Sequence, residues 1–260
     1  MGIINCTPDS FSDGGLFQLK EHAVNQALRL LDEGADIIDI GGESTRPGSD
    51  SVSMEDELSR TIPVIKSLVS QRPGVKISID TTKAIVAKHA LDNGAFMVND
   101  VSAISHEEEQ MSSILREYKP VVSLMHMKGK PKTMQTNPTY DNVVKEVFSY
   151  LQQRILFVQS LGCNEIIADV GIGFGKTLEH NLTLLKHINT FTKLDVPLLL
   201  GISRKRFLGM LTGIEDASKR DIATLITHTL LLKNDIAVIR THSIEPFVQM
   251  KKISEALENC

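Results

Sequence analysis

The strongest constraint on the fold is an alternation that runs through all 260 residues. Short apolar runs bounded by Gly, Asn or Asp alternate with longer segments that have the periodicity of amphipathic helices. No two apolar runs follow one another in the way that a hairpin requires. The alternation therefore predicts parallel strands joined by helices.

The pattern predicts eight strands and eight helices. The predicted strands cover residues 2–5, 36–40, 75–80, 96–99, 120–125, 165–169, 197–201 and 236–240. The predicted helices cover 19–33, 54–70, 83–93, 107–118, 140–161, 178–190, 216–233 and 243–257. Each unit has about 32 residues, which favours a closed (β/α)8 TIM barrel in the α/β class, with one domain spanning residues 1–260. An open doubly wound sheet is the alternative.

The charge balance and the cysteines narrow the class of protein. The chain has 28 Lys and Arg against 32 Asp and Glu, a net charge of -4, so no strong field draws it to nucleic acid or to a membrane surface. We therefore expect small-molecule partners. Cys6, Cys163 and Cys260 form no Cys-x-x-Cys pair, which indicates a reducing compartment, the cytoplasm.

The N-terminus begins abruptly. Met1 leads directly into the apolar residues Ile3 and Ile4, without the basic leader of a secretory signal. We expect either a truncated N-terminus or a domain excised from a longer fused chain.

Polar residues stand at the C-terminal end of every predicted strand. In a parallel barrel these ends meet at one mouth, where active sites lie. A single polar residue there is usually a helix cap or a satisfied core group, but a complete ring indicates a site. The ring consists of Asn5, Asp39, Asp80, Asn99, Asp100, His126, Asp169, Ser203, Lys205, Arg240 and His242.

Asp39 interrupts a β-branched run that would otherwise be a buried strand. A buried carboxylate needs a partner, so Asp39 either meets a cation or holds a ligand, and we include it among the candidate substrate-binding residues. The loop 41–48 that follows offers backbone N–H groups, hydroxyls and the Arg46 guanidinium, which suit an anion. The alternative is an ordinary turn whose Asp is satisfied by local backbone.

Spacing sharpens the prediction on the last two strands. Arg240 and His242 are two residues apart, so their side chains fall on the same side of the pleat and can hold one anion together. Ser203 and Lys205 repeat this arrangement.

Three acceptor residues, Asp80, Asn99 and Asp169, suit a flat heterocycle such as a pterin that presents several N–H donors. The mouth is predicted to divide into an acidic, amide-lined side for that heterocycle and a basic side for phosphates. The basic side consists of Arg46, Lys205, Arg240 and His242.

One motif fails in an informative way. Residues 170–177 end like a phosphate-binding P-loop, but Val170 stands where the first glycine is needed. The sequence contains no metalloprotease motif and no nucleophile elbow. It therefore gives no indication of covalent catalysis or of zinc-dependent hydrolysis. We interpret Cys6 as a packed core residue rather than a reactive thiol.

The chain resembles the dihydropteroate synthase family from residue 2 to the C-terminal helix. The motifs are GIINCTPDSFSDGG at 2–15, GGESTRPG at 41–48, LMHMKG at 124–129, DVGIGFGK at 169–176, GISRK at 201–205 and RTH at 240–242. The resemblance implies a transferase that condenses 6-hydroxymethyl-7,8-dihydropterin diphosphate with 4-aminobenzoate in folate biosynthesis. It also implies a dissociative route, Mg²⁺ and a homodimer.

The resemblance implies a role for each matching residue. Asp80, Asn99, Asp169, Lys205 and Met125 would hold the pterin, and Arg240 would stack on it. The diphosphate would meet Arg46, Arg240 and His242, with Mg²⁺ bridging Asn5 to its oxygens. The 4-aminobenzoate would lie against Phe11, Thr45, Pro47 and Phe174, near Ser203, and Asp9 would close over the reaction. The implied catalytic residues are Asp9, Arg46, Lys205, Arg240 and His242.

The chain departs from the family at Cys6, Val170, Ile172 and Ser243, where Val, Pro, Phe and Asp are common. Two rival functions stay open. A pterin-binding methyltransferase would keep the pterin acceptors but has no use for a diphosphate grip. A catalytically silent paralogue would only bind a pterin.

Overall fold

Eight parallel strands form one sheet in chain order. The computed structural model describes residues 1–7, 15–44, 48–129 and 132–258. The strands are β1 (Gly2–Asn5), β2 (Ile38–Gly41), β3 (Ile77–Asp80), β4 (Met97–Asp100), β5 (Val121–Met125), β6 (Ile166–Asp169), β7 (Leu198–Leu200) and β8 (Ile236–Ile239).

The sheet closes on itself where the end of β8 meets β1. The Ile3 N–H donates to the Thr241 carbonyl and the Thr241 N–H donates to the Met1 carbonyl, each at 3.0 Å. The Met1 amino group donates to the Ile239 carbonyl, also at 3.0 Å. These bonds join the first and last strands, so the predicted (β/α)8 barrel is confirmed and the open doubly wound sheet is excluded.

Nine α-helices surround the described strands. They are α1 (Gly15–Asp32), α2 (Met54–Gln71), α3 (Ala84–Asp92), α4 (Glu108–Tyr118), α5 (Val143–Ser160), α6 (Leu178–Lys186), α7 (Arg206–Thr212), α8 (Asp221–Leu230) and α9 (Glu245–Glu258). Local sequence explains several ends. The Ser53 hydroxyl caps the start of α2 and the Asn142 side chain caps α5. Gly34, Gly94 and Gly162 follow helices with positive φ angles, as predicted.

Helix α7 was not predicted. It has only seven residues, too few to show a helical period, and the Gly209 inside it has low helix propensity. The glycine is required because a Cβ there would lie 2.5 Å from the Ile214 carbonyl oxygen. The predicted helices 178–190 and 216–233 also differ from the structure, where 3₁₀ turns at Ile188–Leu194 and Ala217–Arg220 flank shorter α-helices.

The barrel interior is apolar at its N-terminal end and polar at its C-terminal end. Met1, Met97 and Leu199 form a buried cluster, with Ile37, Phe96, Val121, Ile167 and Val238 packed against it. Above this plug, the register pairs Asp80 with Asn99 and Met125 with Asp169. The plug closes one end, so the charged residues of the described interior lie toward the mouth formed by the strand ends.

Cys6 and Cys163 are buried free thiols. Cys6 belongs to the main hydrophobic core, and burial raises the pKa of its thiol to about 12, which confirms the interpretation as a packed residue. Cys260 lies outside the described residues.

None of the described helices has the length and apolar character needed to cross a membrane.

We expect His228 to make the protein less stable as the pH falls. The imidazole packs against the Phe247 ring, with centroids 5.2 Å apart, and neither ring nitrogen has a partner among the described residues. Burial lowers the pKa of His228 to about 4. The pKa in the unfolded chain is about 6.5, so the unfolded state takes up the proton first and the free energy of unfolding falls by about 3 kcal/mol as the pH drops through this interval.

Urea denaturation of the wild type and His228→Leu at several pH values measures this effect. The variant lacks the titrating group, so its free energy of unfolding should fall less steeply below about pH 6.5. Parallel pH curves for the two proteins would contradict the assignment.

Candidate active site

A buried ion pair network occupies the centre of the mouth. The Arg240 Nε donates to Asp39 Oδ2 at 2.6 Å and its Nη2 donates to Asp80 Oδ2 at 2.7 Å. The Asn99 Nδ2 donates to the same Asp39 oxygen at 3.1 Å. Asp39 is fully buried and meets the Arg240 cation, which is one of its two predicted alternatives, while its role in substrate binding stays a prediction. Through that contact it fixes both Arg240 and Asn99.

Two glycines leave room above this network. A Cβ on Gly41 would lie 3.5 Å from the Asp80 Cβ, and one on Gly201 would lie 3.7 Å from Asp169 Oδ2 and 3.8 Å from the Arg240 Cβ. A Cβ at either position would be in ordinary van der Waals contact with these groups, and a longer side chain would take the space beside them. The absence of side chains therefore keeps the carboxylates and the guanidinium accessible to a flat ligand.

Burial and charge shift the pKa values of the network in different directions. Burial raises the pKa of Asp80 to about 7 against the lowering effect of Arg240, and Asp39 and Glu57 add to the rise. Burial works to lower the pKa of Arg240, but Asp39 and Asp80 outweigh it and the pKa rises. Arg240 is therefore a permanent cation, whereas Asp80 is close to its own titration near neutral pH.

Asp169 and Lys205 form the second charged part of the site. The Asp169 Oδ1 accepts a bond from the Gly171 N–H at 2.8 Å, and burial raises the pKa of this carboxyl against the opposing effect of Lys205. Lys205 Nζ donates to the Ile172 carbonyl and lies 4.6 Å from the Phe174 ring centroid. Burial lowers the pKa of Lys205 to about 8, although Asp169 acts to raise it.

Ser203 and His242 join the ends of β7 and β8. The Ser203 Oγ lies 3.0 Å from His242 Nδ1 and accepts the His242 backbone N–H at 3.2 Å. The Thr241 hydroxyl lies 3.3 Å from the same oxygen. The pair places one hydroxyl and one imidazole at the mouth, on the strands next to Asp169 and Arg240.

The structure corrects the predicted division of the mouth. Arg240 was placed on a basic side, apart from the acidic side, but its guanidinium lies between Asp39 and Asp80. A buried guanidinium loses its hydration, and adjacent carboxylates offset that cost. The acidic and basic residues of the mouth are therefore mixed rather than separated. Asp169 and Lys205 also influence each other electrostatically, since Asp169 acts to raise the pKa of Lys205.

The remaining predicted residues divide into two groups. Met125 is buried at the end of β5, and Asn5 is partly buried at the end of β1. Five residues lie outside the described part of the chain, and their roles stay predictions. They are Asp9, Phe11, Thr45, Arg46 and Pro47.

Sequence reasoning missed charged residues just behind the mouth. Lys83 donates to Glu57 Oε2 at 2.5 Å and to Glu43, which ties the loop after β2 to the loop after β3. Lys176 makes a comparable buried contact with His126. In the sequence, His126 stands out only as a strand-end residue and Lys176 only as part of an incomplete P-loop motif. The lysine within a glycine-rich run was the one sequence signal for this buried contact.

Asn5 fits the partial magnesium site that the resemblance implies. No group of three His, Cys, Asp or Glu side chains among the described residues is arranged to hold a metal. Mg²⁺ keeps several waters and binds through one or two protein oxygens together with substrate phosphates. The amide oxygen of Asn5 is a hard donor at the same mouth, so it suits an ion held mainly by a diphosphate.

A closed (β/α)8 barrel whose C-terminal mouth gathers buried carboxylates, a lysine and an arginine defines a TIM-barrel enzyme. Residues 1–242 match the family described as pterin binding enzyme. The chain is 42% identical over 259 residues to the dihydropteroate synthase of Synechocystis sp., covering 99% of this chain and 89% of that protein. It therefore belongs to the dihydropteroate synthases, transferases of the pterin binding enzyme family.

Solved structures agree with this assignment. The Xanthomonas albilineans dihydropteroate synthase with 4-aminobenzoic acid superposes with a TM-score of 0.92 at 40% identity, covering 100% of this chain and 93% of that one. The same organism's enzyme in complex with 7,8-dihydropteroate gives a TM-score of 0.89 at 38% identity, again with 100% and 93% coverage.

Replacing Arg240 with Met should destabilise the fold, because Asp39 and Asp80 lose the cation they share. We expect the free energy of unfolding, measured by urea denaturation at neutral pH, to fall by about 3–5 kcal/mol. Adding Asp39→Asn to this variant removes one uncompensated charge and should recover part of the loss.

Arg204→Met is a matched control. Arg204 binds Asp221 through two bonds of 2.7 Å, but the side chains are 30% and 33% exposed. Solvent screens such a pair, so we expect a loss of about 1 kcal/mol or less. Equal losses for Arg204→Met and Arg240→Met would contradict the importance assigned to the buried pair.

Proposed function

We propose that this chain condenses 6-hydroxymethyl-7,8-dihydropterin diphosphate with 4-aminobenzoate, giving 7,8-dihydropteroate and diphosphate in folate biosynthesis. The observation that carries the proposal is the convergence of Asp80, Asn99, Asp169, Lys205 and Arg240 on one barrel mouth. The ligands named for the two Xanthomonas structures are one substrate and the product of this reaction.

The pterin would lie on the floor between the two glycines at the ends of β2 and β7. The carboxylates of Asp80 and Asp169 are acceptors for its N–H groups, and the Asn99 amide can accept a further bond through its oxygen. The Arg240 guanidinium, held flat by two carboxylates, offers a planar surface on which the ring can stack.

We propose a dissociative route. The bond between the methylene carbon and the diphosphate oxygen breaks first, and the diphosphate leaves with the electron pair. The resulting cation is spread into the pterin ring, where Asp80 and Asp169 stabilise it. The amine of 4-aminobenzoate then attacks the methylene carbon and loses a proton to solvent. An aromatic amine is unprotonated near neutral pH, so this route requires no strong general base.

Cations at the mouth would assist the departure of diphosphate. Arg240 and His242 directly follow β8, with Arg46 predicted to join them from the loop after β2. Asn5 would hold Mg²⁺, which supplies positive charge to the phosphate oxygens when bound.

The 4-aminobenzoate would lie between the pterin and solvent. The Phe174 ring lies against the Lys205 ammonium and can pack on the ring of 4-aminobenzoate. The Ser203 hydroxyl is proposed to approach its carboxylate. Phe11, Thr45 and Pro47 are proposed to complete this side, and Asp9 to close over it.

We also propose that the chain works as a homodimer. Ile222, Ile226 and Leu230 are 73%, 53% and 78% exposed and recur every four residues along α8. Exposed residues of α7 and α9 add further apolar surface: Met210, Leu211, Ile253 and Leu257. A patch of this extent suits a self-complementary interface between two copies.

The free thiols of Cys6 and Cys163 support the proposed location in the reducing cytoplasm, where dihydropterin substrates also resist oxidation.

Diphosphate release should depend on both substrates. We expect no release with the pterin diphosphate alone and Mg²⁺, and stoichiometric release when 4-aminobenzoate is added. Diphosphate release that does not depend on 4-aminobenzoate would indicate hydrolysis. No release would favour the silent paralogue, and methyl transfer from a methylated folate would favour the methyltransferase.

Lys205→Ala should lower turnover by about tenfold or more, because it removes the cation that faces Asp169 and Phe174. Lys145→Ala, on the exposed face of α5, is the control and should retain wild-type turnover. A wild-type rate in Lys205→Ala would refute the assigned role.

Ile226→Asp should convert the proposed dimer to a monomer, because it places a charge in the apolar patch. Analytical ultracentrifugation of the wild type should give twice the mass of one chain. Leu156→Asp, at a residue that is 61% exposed on α5, is the matched control and should remain dimeric. A monomeric wild type would exclude the proposal.

A further inference from the structure

Lys176 is the most thoroughly buried basic side chain in the described part of the chain that the proposed chemistry does not use. Its side chain is 2% exposed. Its Nζ lies 2.8 Å from the Gly171 carbonyl oxygen, 3.0 Å from that of Phe174 and 3.2 Å from that of His126. It also lies 2.9 Å from His126 Nδ1. Four acceptors therefore surround a group that has at most three N–H donors.

These acceptors belong to two loops that are packed tightly together. The His126 N–H donates to the Asp169 carbonyl at 3.1 Å, and the Phe174 N–H donates to the Gly171 carbonyl at 3.1 Å. Gly171 has a φ of +69°, and a Cβ there would lie 1.9 Å from the His126 carbonyl oxygen. The Nζ of Lys176 thus sits where the loop after β5 meets the turn formed by residues 171–174.

We propose that Lys176 is a positioning residue that fixes this turn and thereby sets the place of Phe174 in the 4-aminobenzoate subsite. The inference rests on the proposed function for the identity of that ligand. Despite the P-loop-like run 170–177, Lys176 is not a phosphate ligand, because its donors are already taken by Gly171, Phe174 and His126.

The turn is held from three directions. Lys176 binds the carbonyls at its two ends, Lys205 binds the Ile172 carbonyl between them, and the Asn181 Oδ1 accepts the Gly173 N–H at 2.7 Å. Lys205 is predicted to bind the pterin, so its bond to the turn competes with a ligand. Lys176 and Asn181 have no such competitor, so they are the supports that remain when the pocket is filled, and Lys176 is the one that holds both ends of the turn.

The pterin side should be less sensitive to Lys176. Asp169 ends strand β6, whose ladder fixes its backbone independently of the turn, although its carboxylate also accepts the Gly171 N–H at 2.8 Å. Loss of Lys176 would therefore displace Phe174 more than Asp169. Small displacements of a positioned group are costly for the step that depends on it.

The test is Lys176→Met, which keeps the length of the side chain and removes its donors. We expect the KM for 4-aminobenzoate to rise by about tenfold while the KM for the pterin diphosphate changes by less than about twofold. Hydrogen exchange followed by mass spectrometry should show faster exchange in peptides that cover residues 171–176. This readout needs no substrate.

Lys128→Met is the matched control. Lys128 lies on the neighbouring loop, 4.1 Å from the Tyr140 ring centroid and 3.7 Å from Glu146, and binds none of the carbonyls of the turn. Both KM values and the exchange of 171–176 should stay at wild-type levels in this variant.

Equal changes in both KM values, or unchanged exchange at 171–176, would overturn the proposal. If Lys176→Met does not fold, Lys176→Gln keeps two shorter donors and should show the same split at smaller size, with an even change again counting against the proposal. A wild type that forms no product would refute the proposed function, while the exchange result would still decide whether Lys176 fixes the turn.

Discussion

The contact of Arg240 with Asp39 and Asp80 is the interaction on which the rest of the site depends. It joins residues 201 and 160 positions apart in the sequence, and it spans the joint where β8 meets β1 and closes the barrel. A buried ion pair of this kind contributes little net stability, because desolvation offsets most of the attraction. Its value lies in geometry: one guanidinium has a single position that satisfies both carboxylates.

That geometry is possible because the two ends of the barrel interior differ. The apolar plug around Met1, Met97 and Leu199 supplies the packing that an interior full of polar groups would lack. Ionisable groups can then be concentrated near the mouth, where a ligand completes their hydrogen bonds. The buried hydroxyls of Ser78 and Ser123, which have no partner among the described residues, mark the boundary between the two halves.

The sequence predicted the architecture well, because strand and helix periods are local signals. The eight strands lie where the apolar runs placed them, with ends that differ by at most two residues. Helix α7 was missed since two turns carry no period. The residue types at the mouth were also predictable from strand ends. What could not be predicted is which charges touch: Asp39 needed a cation, but only the register across β8, β1 and β2 identifies Arg240. The role of Lys176 could not be predicted, because its neighbours in the sequence do not distinguish a lysine buried against backbone carbonyls from one that binds phosphate.

Two pKa values near neutrality bear on how the pocket would respond to the proposed substrate. Burial raises the pKa of Asp80 to about 7 and lowers the pKa of Lys205 to about 8, so each group is close to losing its charge when the pocket is empty. The proposed substrate would change both in the direction of full charge. Its ring N–H groups favour the carboxylate form of Asp80, and the acceptor atoms of the same ring favour the ammonium form of Lys205. The charged state that stabilises the pterin cation would then be complete only once the substrate is bound, because the ring supplies the interactions that burial has removed.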